Sequence, residues 1–429
     1  MPQVPRSLED WLQHVERQHP QAIALGLDRV EAVRRRMALA FACPVFVVGG
    51  TNGKGSTCAM LEAILRAAGY RTGLYTSPHL LRYNERVRIA GAEAPDEALA
   101  EGFAAVEAAR GEVPLTYFEF GTLAAAWLFA REKPDVLVLE VGLGGRLDAV
   151  NVFDADCAVL TSIGIDHVEY LGGTREAIGR EKAGIFRAGR PAVVADPMPP
   201  RSVLEAAAAL GARLLLIGRD FHCRADGNQW LFESPEGRRA TLAHPALRGA
   251  NQLRNAGAAL AALETLRERL PVAMQDVRRG LAEVALPGRF QVLPGRPQLV
   301  LDVAHNPEAA SVLAANLGAS GFAPETIAVL GMLRDKDIEG VLRAMAGRIT
   351  RWHLATLGGP RGADAVTLER ALRAAGATEP ASRHPSVAAA LAAARGEAGE
   401  GDKIVVFGSF LTVAEAMAQI KQATIHSHG

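Results

Sequence analysis

The residues best equipped for chemistry stand near the N-terminus, in Gly49-Gly50-Thr51-Asn52-Gly53-Lys54-Gly55-Ser56-Thr57. Glycines expose backbone N–H groups, and a helix starting behind them adds the positive end of its dipole, so the stretch is suited to hold an anion such as phosphate. Lys54 supplies a movable positive charge. The pattern is a variant of the common phosphate loop, because Val48 stands where the first glycine is expected and Gly55 directly follows the lysine. A plain glycine turn with an incidental lysine is the bland alternative. Against it, Glu140 closes one apolar run, Asp166-His167 follows another and Ser77-Pro78-His79 a third. A carboxylate at a strand end beside a phosphate loop is where magnesium is handled. Gly142, Gly144, Gly145, Arg146 and Asp148 make the turn after Glu140 dense in polar groups.

The elements that must position these residues follow from periodicity. Val45 to Val48 is a short buried strand, and Met60, Leu61, Ile64 and Leu65 recur at helical spacing behind the loop. Further strands are predicted over 71–75, 135–140, 157–163, 192–195 and 213–217. The strand leading to His167 is expected beside the one ending in Glu140. Asp28 is expected to cap a helix through Phe41, and another helix opens at Thr116. By spacing alone Ala24 to Arg29 is a loop-to-helix junction, and Tyr117, Phe118 and Phe120 are as consistent with a core as with a binding surface. Short antiparallel strands follow over 221–241, with turns at Asp226-Gly227 and Pro235-Glu236-Gly237. Helices over 251–270 and 272–284 lead to a junction at Leu286-Pro287-Gly288-Arg289-Phe290. Past it strands over 298–302, 327–331, 352–355 and 403–407 alternate with helices, and Thr424 to Gly429 is expected to be a disordered tail. The expected fold class is α/β: a P-loop-type doubly wound sheet domain over 1–286, then a smaller Rossmann-like α/β domain over 287–429.

Composition narrows the function. A chain of 429 residues exceeds one core, and 49% hydrophobic with 22% charged residues excludes extended disorder. Lys plus Arg and Asp plus Glu number 47 each, so no global field draws in nucleic acid or an anionic membrane. Cys43, Cys58, Cys157 and Cys223 are scattered, without a zinc pattern, and no apolar run approaches a membrane span. A reduced cytoplasmic protein is expected, with no nucleic-acid or membrane partner.

Several stretches together resemble the folylpolyglutamate synthases and dihydrofolate synthases of the Mur ligase superfamily. They are Gly50-Thr51-Asn52-Gly53-Lys54-Gly55-Ser56, Ser77-Pro78-His79-Leu80, Leu139 to Ala149, Asp166-His167, Arg180 to Ile185, Leu286 to Phe290 and Asp302-Val303-Ala304-His305-Asn306-Pro307. The resemblance implies an ATP- and magnesium-dependent ligase that joins L-glutamate to a pterin-bearing carboxylate through an acyl phosphate. Gly53, Lys54, Gly55, Ser56, Asn255, Arg289 and Asp302 would contact ATP, which would lie between the domains. Ser77, Glu140 and His167 would bind two Mg2+ ions, with Lys54, Glu140, His167 and a carbamylated Lys182 as catalytic groups. His305 could join the Asp302 surface, or cap the following helix. Gly26, Leu27, Asp28, Arg29, Thr116, Tyr117, Phe118, Glu119, Leu147, Asp148 and Ala149 match pterin-binding stretches. Their fit points to the bacterial branch that accepts dihydropteroate as well as reduced folates, in an enzyme expected to be monomeric.

Two other ligase readings stand beside this one, polyglutamylation alone and a Mur-type ligase acting on another acceptor. A regulatory protein that had lost the chemistry would lack Lys54, Glu140 or His167, and all are present. A dinucleotide-dependent oxidoreductase would need a glycine fingerprint that the second sheet lacks.

Overall fold

An uninterrupted apolar run is stable as a strand only when both faces are covered, and Val45–Gly49 (β1) meets that condition, buried at every position. The computed structural model describes residues 5–19, 23–234 and 239–426, so the expected turn at Pro235-Glu236-Gly237 lies outside it. The chain divides into two compact units: Met1–Ala246 with Gln252–Val284, and Leu247–Asn251 with Ala285–Gly429.

The first unit contains β1, Thr72–Tyr75 (β2), Val87–Ile89 (β3), Ala92–Glu93 (β4), Val136–Glu140 (β5), Cys157–Leu160 (β6), Pro191–Val194 (β7) and Arg213–Leu216 (β8). They form one eight-stranded sheet in the order β4-β3-β2-β5-β1-β6-β7-β8, with every pairing parallel except β2 with β3 and β3 with β4 at one edge. The expectation that the His167 strand flanks the Glu140 strand is corrected here: β1 lies between them, paired with β5 on one side and β6 on the other. The chain therefore crosses β1 between β5 and β6, which places the loop after β1 at the point where strand order reverses, the usual ligand position in such sheets.

Helices cover the sheet. Phe103, Phe120 and Phe129 are almost fully buried on one side with Val45, Val47, Leu137 and Leu139. Phe120 packs against Phe103 with the two rings tilted, which resolves that aromatic as core, whereas Tyr117 and Phe118 are only partly buried. The helix at residue 28 spans Asp28–Arg36 and stops well short of Phe41, with Asp28 as its first helical residue rather than its cap. Ala38, in the left-handed region at φ 51°, marks where the chain has left it. The strand expected to reach residue 163 ends at Leu160, because Thr161 and Ser162 hydrogen-bond to the phosphate loop instead. His222–Asp226 (β9), Gln229–Glu233 (β10) and Arg239–Ala243 (β11) make a separate antiparallel sheet.

The second unit holds Gln291–Leu293 (β12), Gln298–Leu301 (β13), Thr326–Leu330 (β14), Arg351–Ala355 (β15), Ala381–His384 (β16) and Lys403–Phe407 (β17). The order is β12-β13-β17-β14-β15-β16, parallel apart from β12. The edge strands β12 and β16, short and partly exposed, carry no clear apolar alternation and escape sequence reading. The final helix runs Phe410–His426, so the expected tail is helical over its first residues, and 427–429 lie outside the described residues. Among the described residues no helix is long and apolar enough to cross a membrane.

The helix behind the phosphate loop, Lys54–Ala67, is braced by the helix Met274–Glu283. Their contact is at backbone distance: a Cβ on Gly280 would lie 2.5 Å from Ile64 Cα. In an exposed helix Gly→Ala gains about 1 kcal/mol of propensity, but forcing apart two packed helices costs about 1–3 kcal/mol, so the clash outweighs the gain. We therefore expect Gly280→Ala to lower the urea midpoint of the first unit; an unchanged or raised midpoint would show that the helices can separate freely.

Candidate active site

The phosphate loop is held open by residues outside its own motif. Gly50 lies at φ +146°, and a Cβ there would meet Thr161 Oγ1 at 1.9 Å, so no side chain fits. Thr161 Oγ1 donates to Asn52 O at 2.7 Å, Ser162 Oγ accepts from Asn52 N at 3.0 Å, and Thr51 N donates to Ser162 O at 2.8 Å. Gly53, left-handed at φ +90°, precedes the helix Lys54–Ala67 and faces Asn255, whose Oδ1 would lie 2.6 Å from a Cβ. Asn255 in turn donates to Gln252, and Gln252 donates to Ser56 Oγ at 3.4 Å. Gly53, Ser56 and Asn255, far apart in sequence, are thus brought together. Gly55 lies in the first helical turn, and Lys54 Nζ lies back on the loop, 3.0 Å from Gly50 O. Thr161, Ser162 and Gln252 escape sequence reasoning because hydroxyls and amides carry no signal until the fold places them.

The register β1 with β5 sets Val48 opposite Glu140, and that of β2 with β5 sets Tyr75 opposite Leu139. The ends of these strands therefore bring Ser77 to Glu140, which is 4% exposed and accepts from Ser77 N at 3.2 Å. His167 follows β6 on the other side of β1, held at φ 52° just before the short helix Val168–Leu171. Its Nε2 lies 3.9 Å from Asp166 Oδ2. Among the described residues no three or more His, Cys, Asp or Glu side chains form a metal site by themselves. The Glu140 carboxylate and Ser77 hydroxyl are hard oxygen donors, the set that suits Mg2+ or Mn2+ completed by phosphate oxygens and water. Lys182 is 4% exposed on the helix Arg175–Ala183. That helix presses on the polar turn after β5: a Cβ on Gly145 would lie 2.8 Å from Glu181 O and 2.9 Å from Lys182 O. Arg146 is tied there to Glu181 at 2.8 Å.

The expected pterin stretches meet each other. Gly26 N donates to Leu147 O at 3.4 Å, joining the first to the third. Arg29 donates to the buried Glu119 at 2.9 Å and to Ala24 O at 2.7 Å, joining the first to the second. Thr116 and Glu119 form a reciprocal capping box at the start of the helix Tyr117–Glu132. The Phe118 ring lies over Gly142, where a Cβ would be 2.6 Å from Cζ. Leu27, the residue before the helix Asp28–Arg36, accepts from Glu31 N, whereas Asp28 is exposed. Asp148 accepts from Leu143 N at 2.8 Å and Val150 N at 3.0 Å, with Ala149 buried beside it. Burial pushes its carboxyl up to about 7, against the opposing pull of these N–H groups.

In the second unit, β13 and β17 are neighbours and bring their following residues together. Asp302 accepts from Phe290 N and Ala304 N, both at 2.8 Å, and its burial raises its carboxyl above the ordinary range. The Arg289 guanidinium lies 4.9 Å from the Phe410 ring centre, and the His305 ring 6.2 Å from it. The helix cap is Asn306, which accepts from Ala309 N, so His305 is not the capping residue. In sequence Phe410 stands only in Gly408-Ser409-Phe410 after the last strand, a signal too weak by itself to assign nucleotide binding.

Residues 48–263 match the Mur ligase middle domain, and residues 288–410 the Mur ligase glutamate ligase domain. The dihydrofolate synthase/folylpolyglutamate synthase of Escherichia coli K12 is 46% identical over 420 residues, 98% of this chain and 97% of that protein. A solved structure of E. coli FolC in complex with DHPP and ADP has TM-score 0.94 and 45% identity, covering 99% of this chain and all of that one. A bifunctional folylpolyglutamate synthase/dihydrofolate synthase with Mn, AMPPNP and L-glutamate bound has TM-score 0.90 and 46% identity, over 98% of this chain and 99% of that one. With both domain models matched in order and nearly half the residues shared over almost the full length, this chain belongs to the dihydrofolate synthase/folylpolyglutamate synthase family of Mur ligases.

Proposed function

We propose that this protein uses ATP and a divalent metal ion to add L-glutamate to dihydropteroate, giving dihydrofolate, and then further glutamates to reduced folates. The observation that carries this is the juxtaposition of the Gly50 to Ser56 loop with the buried Glu140 and Ser77 at neighbouring strand ends. A carboxylate is a poor electrophile, so the acceptor carboxylate oxygen first takes the γ-phosphoryl group and ADP leaves. The glutamate amine then attacks the acyl carbon, phosphate departs and the amine loses a proton. Gly53, Gly55 and Ser56 bind the phosphates, and Lys54 places its charge on the group being transferred. A metal ion held by Ser77, Glu140 and His167 would neutralise charge among the phosphate oxygens. Asn255, Arg289 and Asp302 orient the nucleotide. Gly26, Leu27, Asp28, Arg29, Thr116 to Glu119 and Leu147 to Ala149 bind the pterin end. Lys182 acts as its carbamate: the neutral amine adds to CO2 and releases a proton, converting a buried amine into a carboxylate. The protein works as a cytoplasmic monomer.

Purified protein with ATP, Mg2+, glutamate and either dihydropteroate or a tetrahydrofolate should release ADP, phosphate and the glutamylated product. Product from the tetrahydrofolate alone would reduce the reading to a folylpolyglutamate synthase, and product from neither would remove it. Lys54→Ala should lower kcat by about a hundred-fold or more, as loss of a charge-stabilising group does; an unchanged rate would remove Lys54 from the chemistry. Carbamylation is tested by stripping CO2 and bicarbonate from the assay, which should reduce the rate reversibly in the wild type and leave the residual rate of Lys182→Met unmoved.

Asp148 gives a pH signature. Its folded-state pKa, about 7, lies above the ordinary 3.8, so the folded protein holds this proton more tightly than the unfolded chain. Its contribution to stability is therefore complete below about pH 4 and is lost as pH rises through about 7, with a slope approaching 1.4 kcal/mol per pH unit. Asp148→Asn should flatten the fall in unfolding free energy between about pH 5 and 7.5 relative to the wild type. Parallel curves for the two proteins would mean that the carboxylate is already ionised in the fold.

A further inference from the structure

Arg86 belongs to none of the stretches assigned above, yet its side chain and backbone touch two of them. It ends the short turn Tyr83–Arg86 that leads into β3. Its carbonyl accepts from Thr76 N at 2.9 Å, and its Nε donates to His79 Nδ1 at 2.8 Å. Both contacts fall on the loop that carries Ser77. Because Nδ1 is an acceptor here, neutral His79 keeps its proton on Nε2, and the ring is fixed in one orientation. The same guanidinium lies 5.3 Å from the Tyr83 ring centre and 5.5 Å from that of Tyr117, within cation–π range of both. Tyr117 opens the helix whose first turn is an expected pterin stretch, and it meets Tyr83 edge-on at 6.0 Å.

The turn has other supports. Tyr83 is 4% exposed and packs on Phe103 at 5.5 Å. The Glu85 carboxylate accepts from the N–H groups of Leu80, Leu81 and Arg82, which fixes the far end of the loop. The backbone of the turn is therefore secured without the Arg86 side chain. What that side chain adds is a link between the middle of the Ser77 loop and Tyr117.

We propose that Arg86 is a positioning residue that sets the Ser77 loop and Tyr117 at one spacing, so that the metal-bearing and pterin-bearing parts of the site are held in mutual register. The proposal rests on the ligase reading above. Its two halves are separable, because the Nε hydrogen bond reaches only the loop and the cation–π contacts reach only the rings.

The test measures Mn2+ affinity in the presence of AMPPNP, from the EPR signal of free Mn2+, and dihydropteroate affinity by equilibrium dialysis in the same mixture. These binding constants do not depend on turnover, so wild-type turnover judges the ligase reading and the variants judge Arg86. Arg86→Met should weaken both affinities by about ten-fold, the scale of one charge-assisted hydrogen bond with its cation–π contacts. Arg86→Lys, which keeps a cation over the rings but loses the planar Nε donor, should restore dihydropteroate affinity and leave Mn2+ affinity weakened. Tyr117→Leu should weaken dihydropteroate alone. A folded Arg86→Met with either affinity unchanged would overturn the proposal, as would Arg86→Lys restoring both. If Arg86→Met does not fold, the Arg86→Lys and Tyr117→Leu pair decides by the same split.

Discussion

Gly50 comes so close to Thr161 that any side chain at Gly50 would collide with the threonine hydroxyl, 1.9 Å from where its Cβ would stand. This crowding sets the shape of the phosphate loop. It depends on β6 lying directly against β1, so that the residues after one strand can hydrogen-bond to those after the other. On the opposite side, β5 delivers Glu140 level with Val48. The loop is therefore formed between two strand ends, and its geometry is set from outside the motif. Two covered faces on β1 make this arrangement stiff, because a shift of one strand would break hydrogen bonds on both flanks and expose apolar side chains.

One device recurs at three points where the chain leaves a strand for a loop. A buried carboxylate accepts backbone N–H groups that the sheet no longer satisfies. Asp148 takes those of Leu143 and Val150, Asp302 those of Phe290 and Ala304, and Asp196 those of Ile163 and Met198. Each loop gains partners for groups that are costly to bury alone. In Asp148 and Asp302 the arrangement leaves the carboxyl more basic than usual, since burial disfavours the charge more than the N–H groups favour it. The two units, each with its own sheet, use the same chemistry for the same purpose.

Much of this was legible in the sequence. Continuous apolar runs such as Val45 to Val48 and Ile404 to Phe407 located the central strands, because parallel strands covered on both faces have no polar alternation. Glycine and lysine spacing located the turn between β1 and the helix Lys54–Ala67, since a left-handed residue such as Gly53 at a helix start is written in the residue types themselves. Strand order was not legible: nothing in the residues leading to His167 says that β1 intervenes before Glu140, and only pairing decides it. Neither were the supporting polar groups. Thr161, Gln252 and Arg86 are ordinary residues in sequence, and their significance comes from neighbours that lie far along the chain. Short edge strands were missed for the opposite reason, having too little buried surface to impose a pattern.

The brace behind the loop has a bearing on how the protein is made. Ser56 is reached by Gln252 across 196 residues, and the helix that begins at Lys54 is closed against Gly280. During synthesis from the N-terminus, β1 and the phosphate loop leave the ribosome long before these partners exist. The nascent first unit therefore carries an unbraced helix, and a loop without its Gln252 and Asn255 neighbours, until about residue 284 has emerged. The apolar face of Lys54–Ala67 that later meets Met274–Glu283 stays uncovered by that helix meanwhile.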